Sequence, residues 1–83
     1  MEYHVLCDDK PASTLGYPNI HPSWNNHVFT DYLDACAYVH FWCNNISLDE
    51  AKKLAQLHPI PVNTPIDVSQ GFEPLWMKIV EVS

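Results

Sequence analysis

The two ends of the chain alternate between apolar and polar positions with a period of two residues. In residues 2–7, Val5 and Cys7 fall on the same face. Residues 76–82 alternate in the same way, and apolar side chains occupy both of their faces. Because extended backbone places successive side chains on opposite faces, the pattern predicts one β-strand at each end of the chain. Apolar residues on both faces predict that the second strand is central in its sheet or covered on both sides.

The middle of the chain changes to the three-and-four spacing of an amphipathic helix. Thr30 or Asp31 can cap its start, because short polar side chains accept hydrogen bonds from the free amides there. Two asparagines, Asn44 and Asn45, can end it. The side chains expected to face the core are Phe29, Leu33, Cys36, Ala37, His40 and Cys43, extended by Tyr32 and Val39. The spacing therefore predicts one helix with a single core-facing stripe.

A second helix is predicted to begin at Ser47. Ser47 and Glu50 form the Ser-x-x-Glu pattern, in which each side chain bonds to the backbone amide of the other residue. Pro59 ends this helix, because proline lacks the amide hydrogen and clashes with the preceding turn. The apolar positions expected to be buried are Leu48, Ala51, Leu54 and Ala55.

The connections are rich in proline and contain two possible short strands. Residues 27–29 end the long irregular stretch 10–27 and are expected to pair with the first strand, and residues 66–68 form another candidate. At least one further strand is needed, because two strands alone are seldom stable. The expected class is α+β: a small antiparallel sheet of the N- and C-terminal strands plus one or more short strands, with two helices packed on one face. Residues 1–83 are expected to form a single domain.

The charge balance limits the classes of partner. The chain carries ten carboxylates and four lysines, has no arginine, and has a net charge of −6. Because nucleic-acid binding needs cations that neutralise phosphates, direct binding to DNA or RNA is not expected. A negative surface instead attracts a basic one and speeds the encounter. The simplest alternative is that the charge only keeps a small protein in solution.

Cysteine usage and hydropathy indicate the compartment. Three cysteines, Cys7, Cys36 and Cys43, are too few and odd in number for a disulfide framework. The N-terminal residues lack the basic start and the apolar run of a secretory signal. No segment approaches the ~20 apolar residues that a membrane-spanning helix needs. We therefore expect a cytoplasmic, intracellular protein with reduced thiols and no membrane partner.

The sharpest chemical pattern is Cys36-x3-His40-x2-Cys43. These side chains share one face of the predicted helix, where they could bind Zn²⁺ or Cu(I) and make a small metal or redox protein. A structural zinc site normally needs a fourth ligand, and Cys7, His27 or His58 could supply it. The alternative is that both cysteines are small core side chains and His40 is buried and hydrogen-bonded. We favour this alternative and expect no cofactor.

The same residues allow a nucleophilic cysteine with a histidine base. The candidate pairs combine Cys36 or Cys43 with His40 or His58. Their place on the predicted core face argues against an exposed, activated thiol. The chain has only two glycines, so it cannot form a glycine-rich phosphate loop, and it carries no hydrolase motif. The protein is therefore not expected to be an enzyme.

The opposite side of the first helix mixes carboxylates with large aromatic rings. The residues expected to bind a partner are Asp31, Asp34, Tyr38 and Trp42 on this helix, with Trp24 in the preceding loop as a second contact. Aromatic rings beside carboxylates are good anchors on a basic protein surface. The alternative is a helix packed on both sides, with the loop of residues 11–27 covering its back.

These features favour a non-enzymatic inhibitor or adaptor that binds a basic surface of a larger protein. In size, charge and compactness the chain is similar in kind to the small acidic proteins with which phages and mobile elements block CRISPR effectors, restriction enzymes or DNA glycosylases. That likeness implies an anti-CRISPR-like, anti-defence role, and it covers no aligned residue. The alternatives are the metal or redox protein described above and a structural subunit of an obligate complex, and the oligomeric state stays open.

Overall fold

The computed structural model describes residues 1–8, 10–11, 21, 24, 28–67 and 76–82. In chain order, the strands and helices of this part are β1 Glu2–Cys7, β2 Lys10–Pro11, β3 Val28–Phe29, α1 Tyr32–Asn44, α2 Leu48–Leu57, β4 Ile66–Asp67 and β5 Trp76–Val82. The strands form one antiparallel sheet, and the helices pack together beside it. The predicted α+β class is therefore confirmed.

Strand β1 lies at the centre of the sheet. β5 is antiparallel to β1 along the whole length of β1, with Val5 opposite Ile79 near the middle. β2 and β3 also pair with β1, and β4 pairs with β5. The resulting order is β2-β1-β5-β4, with β3 beside β1. The two ends of the chain thus close the fold by pairing with each other, as their alternation predicts.

The shorter predicted strands are also present. The strand predicted at 27–29 is confirmed at Val28–Phe29, where it pairs with β1. The strand predicted at 66–68 is confirmed at Ile66–Asp67. Positions 27 and 68 lie outside the described residues. Because β4 lies on the far side of β5 from β1, the central position predicted for the C-terminal strand is confirmed as well.

Both helices begin where their capping signals predict. The side chain of Asp31 accepts a hydrogen bond from the amide of Leu33 at 2.9 Å, which caps α1. Asn45 ends α1 in the left-handed conformation, which asparagine adopts more readily than most residues. Ser47 caps α2 by accepting a hydrogen bond from the amide of Glu50 at 3.2 Å. α2 ends two residues before the proline that the sequence predicts as its stop.

Helix α1 is packed on two sides. It contacts β1, β3, β4 and β5, and α2 packs along it. Its buried residues are the consecutive run Ala35, Cys36, Ala37, Tyr38 and Val39. The predicted single stripe is therefore wrong in two places: Leu33 is 38% exposed, whereas Tyr38 is fully buried. The reason is that a helix between two layers buries side chains all round its middle turns.

Helix α2 presents small residues to the interior. Ala51 and Ala55, one turn apart, are buried, while Leu48 and Leu54 are half-buried. The predicted buried face is thus confirmed in its alanines, whose size permits close helix packing. Leu57, at the end of α2, is 72% exposed. Neither helix in the described ranges has the length and apolar character needed to cross a membrane.

Candidate functional site

The aromatic rings predicted to face a partner form a buried cluster instead. Tyr38 has no exposed area, and only 7% of Trp24 is exposed. Trp24 packs edge-on against Phe29 with ring centres 5.2 Å apart, and Phe29 lies 5.4 Å from Tyr38. Trp42 is half-buried and stands edge-on to Tyr38 at 6.3 Å. Such pairs stabilise a core, so the expectation that Tyr38 and Trp24 protrude is wrong.

Of the two interpretations of this side of α1, packing on both sides is confirmed at Tyr38. Trp24, which precedes β3, covers Tyr38 with a ring-centre distance of 6.3 Å. Burial removes a large apolar area from water, so these rings stabilise the fold itself. Trp42 and its neighbour Phe41 keep part of their surface exposed. Partner binding by Trp42 therefore stays a prediction.

The two carboxylates of the predicted site lie at the start of α1. Asp31 is exposed and serves as the helix cap, and Asp34 is half-buried. They line a shallow groove of about 180 Å³ together with Leu33, Lys52 and Gln56. Lys52 lies in the same groove, and its positive charge compensates part of the negative potential of the two carboxylates. Partner binding by Asp31 and Asp34 also stays a prediction.

The Cys-x3-His-x2-Cys pattern faces the backbone of the segment that joins α2 to β4. The sulfur of Cys36 accepts a hydrogen bond from the amide of Ile60 at 3.4 Å. His40 Nε2 lies 2.9 Å from the main-chain oxygen of His58. A carbonyl oxygen can only accept, so His40 carries a proton on Nε2 and donates it here. Both side chains therefore bond to the main chain of this segment.

Two further side chains of α1 form hydrogen bonds to the main chain of residues 58–67. The hydroxyl of Tyr32 donates to the main-chain oxygen of Ile60. The thiol of Cys43 donates to the main-chain oxygen of Asp67 at 3.3 Å. Ile60 is buried, so its main-chain groups need partners that the irregular segment around it cannot supply. Together, these four side chains of α1 hold residues 58–67 against the helix.

The positions of these side chains also test whether Cys36, His40 and Cys43 could bind a metal ion. Within the described residues, no three His, Cys, Asp or Glu side chains gather closely enough to hold a metal ion. Cys36, His40 and Cys43 direct their polar atoms to three different main-chain positions. His27, one of the fourth ligands considered, lies outside the described residues. The described part of the chain thus offers no geometric support for a zinc or copper site.

A different aromatic residue, Trp76 at the start of β5, lies at the surface. Among the aromatic side chains that the structure describes, only Trp76 is exposed, at 45%. It lies on the face of β5 opposite Met77 and Ile79, which are fully buried in the core. Trp76 therefore faces away from the helices. Docking a partner on so large a ring would remove much apolar surface from water, which marks it as a candidate contact site.

An aspartate lies on each side of Trp76 along the sheet. Asp67 of β4 is the direct sheet partner of Trp76. On the other side, the amide of Asp8 donates to the main-chain oxygen of Trp76 at 3.1 Å. Neighbouring strands lie about 4.8 Å apart, so the two aspartates stand on opposite sides of the tryptophan. An open groove of about 490 Å³ at this position is lined by Asp8, Pro65, Trp76 and Lys78.

Local structure fixes the position of each aspartate. Asp8 follows the last residue of β1 and has a φ of 52°, a conformation that aspartate tolerates better than most residues. Asp67 belongs to the short edge strand β4, which Cys43 ties to α1. A charged side chain on an edge strand also discourages pairing with another chain, which gives Asp67 a structural role of its own.

Two thiols lie close to these carboxylates. Burial raises the pKa of the Cys7 thiol, and the negative charge of Asp8 raises that pKa further. The pKa of Cys43 is raised in the same way, first by burial and then by Asp67. A nucleophilic cysteine needs a lowered pKa, so neither environment favours the catalytic alternative.

Trp76, Asp8 and Asp67 are not among the site residues that the sequence predicts. One signal was available: Lys78 falls on the same face of the predicted strand as Trp76, and a lysine marks the solvent side. The flanking aspartates gave no local signal, because only the pairing of distant strands brings them beside the ring.

Comparison with protein-family models, with curated proteins and with solved structures gave no match to this chain. The function is therefore inferred from the chemistry of the described residues alone. Among them, the exposed tryptophan between two carboxylates is the arrangement with the clearest use in binding.

Proposed function

We propose that this protein is a small, non-enzymatic binding domain that acts as an inhibitor or adaptor on a larger protein with a basic surface. The observation that supports this best is the exposed Trp76 between Asp8 and Asp67. Tryptophan is among the side chains that contribute most to the binding energy of protein interfaces. Carboxylates beside it add selectivity for a cationic partner.

The charge of the whole chain also supports a basic partner. The net charge is −6, and every positive side chain other than histidine is a lysine. The acidic residues among those described are Glu2, Asp8, Asp31, Asp34, Asp49, Glu50, Asp67 and Glu81. They belong to several strands and helix starts, so the negative field is spread over the molecule. Such a field speeds the encounter, whereas the anchoring ring determines where docking ends.

A basic groove that normally holds nucleic acid suits this chemistry. Carboxylates can take the place of phosphates as partners for lysine and arginine side chains. We therefore propose an anti-defence inhibitor, of the kind that phages and mobile elements direct against CRISPR effectors, as the specific role. The chain is similar to such inhibitors in size, charge and compactness.

We also propose that the protein acts inside a cell, in the cytoplasm. All three cysteines are free, and Cys7 and Cys36 are buried. Unpaired thiols are typical of a reducing compartment, because an oxidising one favours disulfides.

Two substitutions test the proposal. Immobilised wild-type protein, Trp76→Ala and Leu57→Ala are each incubated with a lysate of cells that carry the protein, and retained proteins are identified by mass spectrometry. Leu57 is 72% exposed on α2, so its variant controls for the loss of an exposed apolar side chain elsewhere. The partner is then purified, and its affinity for each form is measured.

We expect Trp76→Ala to weaken the partner's binding by about ten-fold or more, while Leu57→Ala stays within about two-fold of the wild type. A natural partner that all three forms bind equally well would contradict a docking role for this face. Retention of nucleic acid, in place of a protein, would contradict the class of partner.

A further inference from the structure

We infer that the Trp76 face recognises a guanidinium group, supplied by an arginine side chain of the partner. The inference rests on the proposed function and adds the chemical group that the site binds. The chain itself contains no arginine, so none of its own residues can supply this group.

The first reason is the shape and surface of the tryptophan. Trp76 leaves 45% of its surface exposed, and Pro65 lines the same groove beside it. A guanidinium is planar and more weakly hydrated than an ammonium, so it stacks on an aromatic face at a smaller loss of hydration. The exposed ring of Pro65 adds apolar surface against which the aliphatic part of an arginine side chain can pack.

The second reason is the placement of the two carboxylates. Asp67 of β4 and Asp8, which follows β1, lie on either side of Trp76. A guanidinium has five N–H donors that point outward in its plane, so one stacked on the indole can donate toward both strands. An ammonium concentrates its three donors on one atom and cannot span both sides.

Lys78 favours an arginine over a lysine as the partner side chain that enters this groove. It lines the same groove and lies opposite Leu6, one row along the sheet from Trp76. The positive charge of Lys78 disfavours a second ammonium placed beside it. An arginine offsets the repulsion by stacking and by hydrogen bonds on two sides. We therefore expect discrimination between arginine and lysine beyond simple attraction to a negative protein.

The probes are two blocked synthetic peptides of equal length and equal charge, in which arginine or lysine alternates with glycine. Each peptide is titrated into ¹⁵N-labelled full-length protein at low salt. The readouts are the backbone amide signals of β5, which every variant retains, and the indole Nε1–H signal of Trp76, assigned by its absence in Trp76→Leu. Asp8→Asn serves as a second variant, because it removes one negative charge beside Trp76 while the side chain keeps nearly the same size and shape.

We expect the arginine peptide to bind the wild type about five-fold tighter than the lysine peptide, or better. In Trp76→Leu this ratio should fall to about one, and in Asp8→Asn it should fall part of the way. An amide spectrum that is unchanged away from β5 shows that each variant is folded.

Equal affinity of the wild type for the two peptides would overturn the guanidinium inference. The proposed function would survive that result, because it is judged by the natural partner's response to Trp76→Ala. An arginine preference that persisted in both variants would also overturn the inference, since it would show that the cation binds elsewhere on the protein.

Discussion

The thiol of Cys43 on α1 donates a hydrogen bond to the main-chain oxygen of Asp67 on β4 at 3.3 Å. This bond connects the central helix to the edge strand that carries one of the carboxylates beside Trp76. Cys43 belongs to a pattern that resembles a set of metal ligands, yet its partner here is main chain. The helix thus supports the candidate site without forming part of its surface.

Replacing Cys43 tests this support. We expect Cys43→Ala to lower the free energy of unfolding by about 1–2 kcal/mol, because the oxygen of Asp67 loses its donor. Cys43→Ser should lower it less, since a hydroxyl still donates. Urea denaturation of both variants measures the difference. Equal losses in the two variants would contradict a stabilising role for the hydrogen bond.

Tyr38 gives a test of the buried aromatic cluster. Because Tyr38 is fully buried against Phe29 and Trp24, Tyr38→Ala should lower the free energy of unfolding by about 3–5 kcal/mol. Leu57→Ala, at an exposed position, should change it by no more than about 0.5 kcal/mol. Chemical denaturation at constant pH measures both. A Tyr38→Ala protein with wild-type stability and impaired partner binding would instead restore Tyr38 as a contact residue.

Metal analysis tests whether Cys36, His40 and Cys43 serve to stabilise the fold and not to bind a metal ion. Protein purified without a histidine tag should contain below about a tenth of an equivalent of zinc, because Cys36, His40 and Cys43 bond to separate main-chain atoms. Mass spectrometry of the native protein measures the content. One tightly held equivalent that is lost in His40→Ala would favour the metal-binding alternative.

The raised pKa values of three buried or half-buried groups predict how the free energy of unfolding changes at alkaline pH. Burial, followed by the influence of Cys36, raises the pKa of Tyr32 from its usual 10.0 to about 12. The pKa values of Cys7 and Cys43 are also raised. A group with a higher pKa in the folded state contributes stability that is complete below its unfolded pKa and is lost as pH rises through the folded one.

The free energy of unfolding should therefore fall between about pH 9 and pH 12. Tyr32→Phe removes the tyrosine contribution and should flatten the part of this decline above about pH 10. Urea denaturation across this range gives the profile. A wild-type profile that stays level up to pH 12, or one that Tyr32→Phe leaves unchanged, would contradict the shift.

The elements that the sequence predicts correctly all have local signals. The period of two in β1 and β5, the caps Asp31 and Ser47, and the left-handed Asn45 each depend on a few neighbouring residues. Side-chain periodicity also puts Cys36, His40 and Cys43 on one face correctly, since all three contact the segment 58–67. Their chemical role was open, because spacing does not reveal the partner.

The remaining features depend on tertiary packing. Tyr38 was expected at the surface because a helical wheel assumes one buried side, and α1 has two. Asp8 and Asp67 lie beside Trp76 only through the register of β1, β5 and β4, which joins residues far apart in the chain. No local pattern encodes that register. An acidic, aromatic contact face stays a prediction, and no local pattern indicated that Trp76 would lie between Asp8 and Asp67.

Salt dependence provides the sharpest test of the acidic, tryptophan-centred face. The affinity of the purified natural partner is measured by calorimetry from about 50 to about 500 mM salt, for the wild type and for the Asp8→Asn, Asp67→Asn double variant. We expect the wild-type affinity to fall about ten-fold or more across this range, and the double variant to bind more weakly at low salt and to respond less to salt. A wild-type affinity that is independent of salt, or a double variant that binds as tightly as the wild type at every concentration, would contradict recognition of a basic surface by this face.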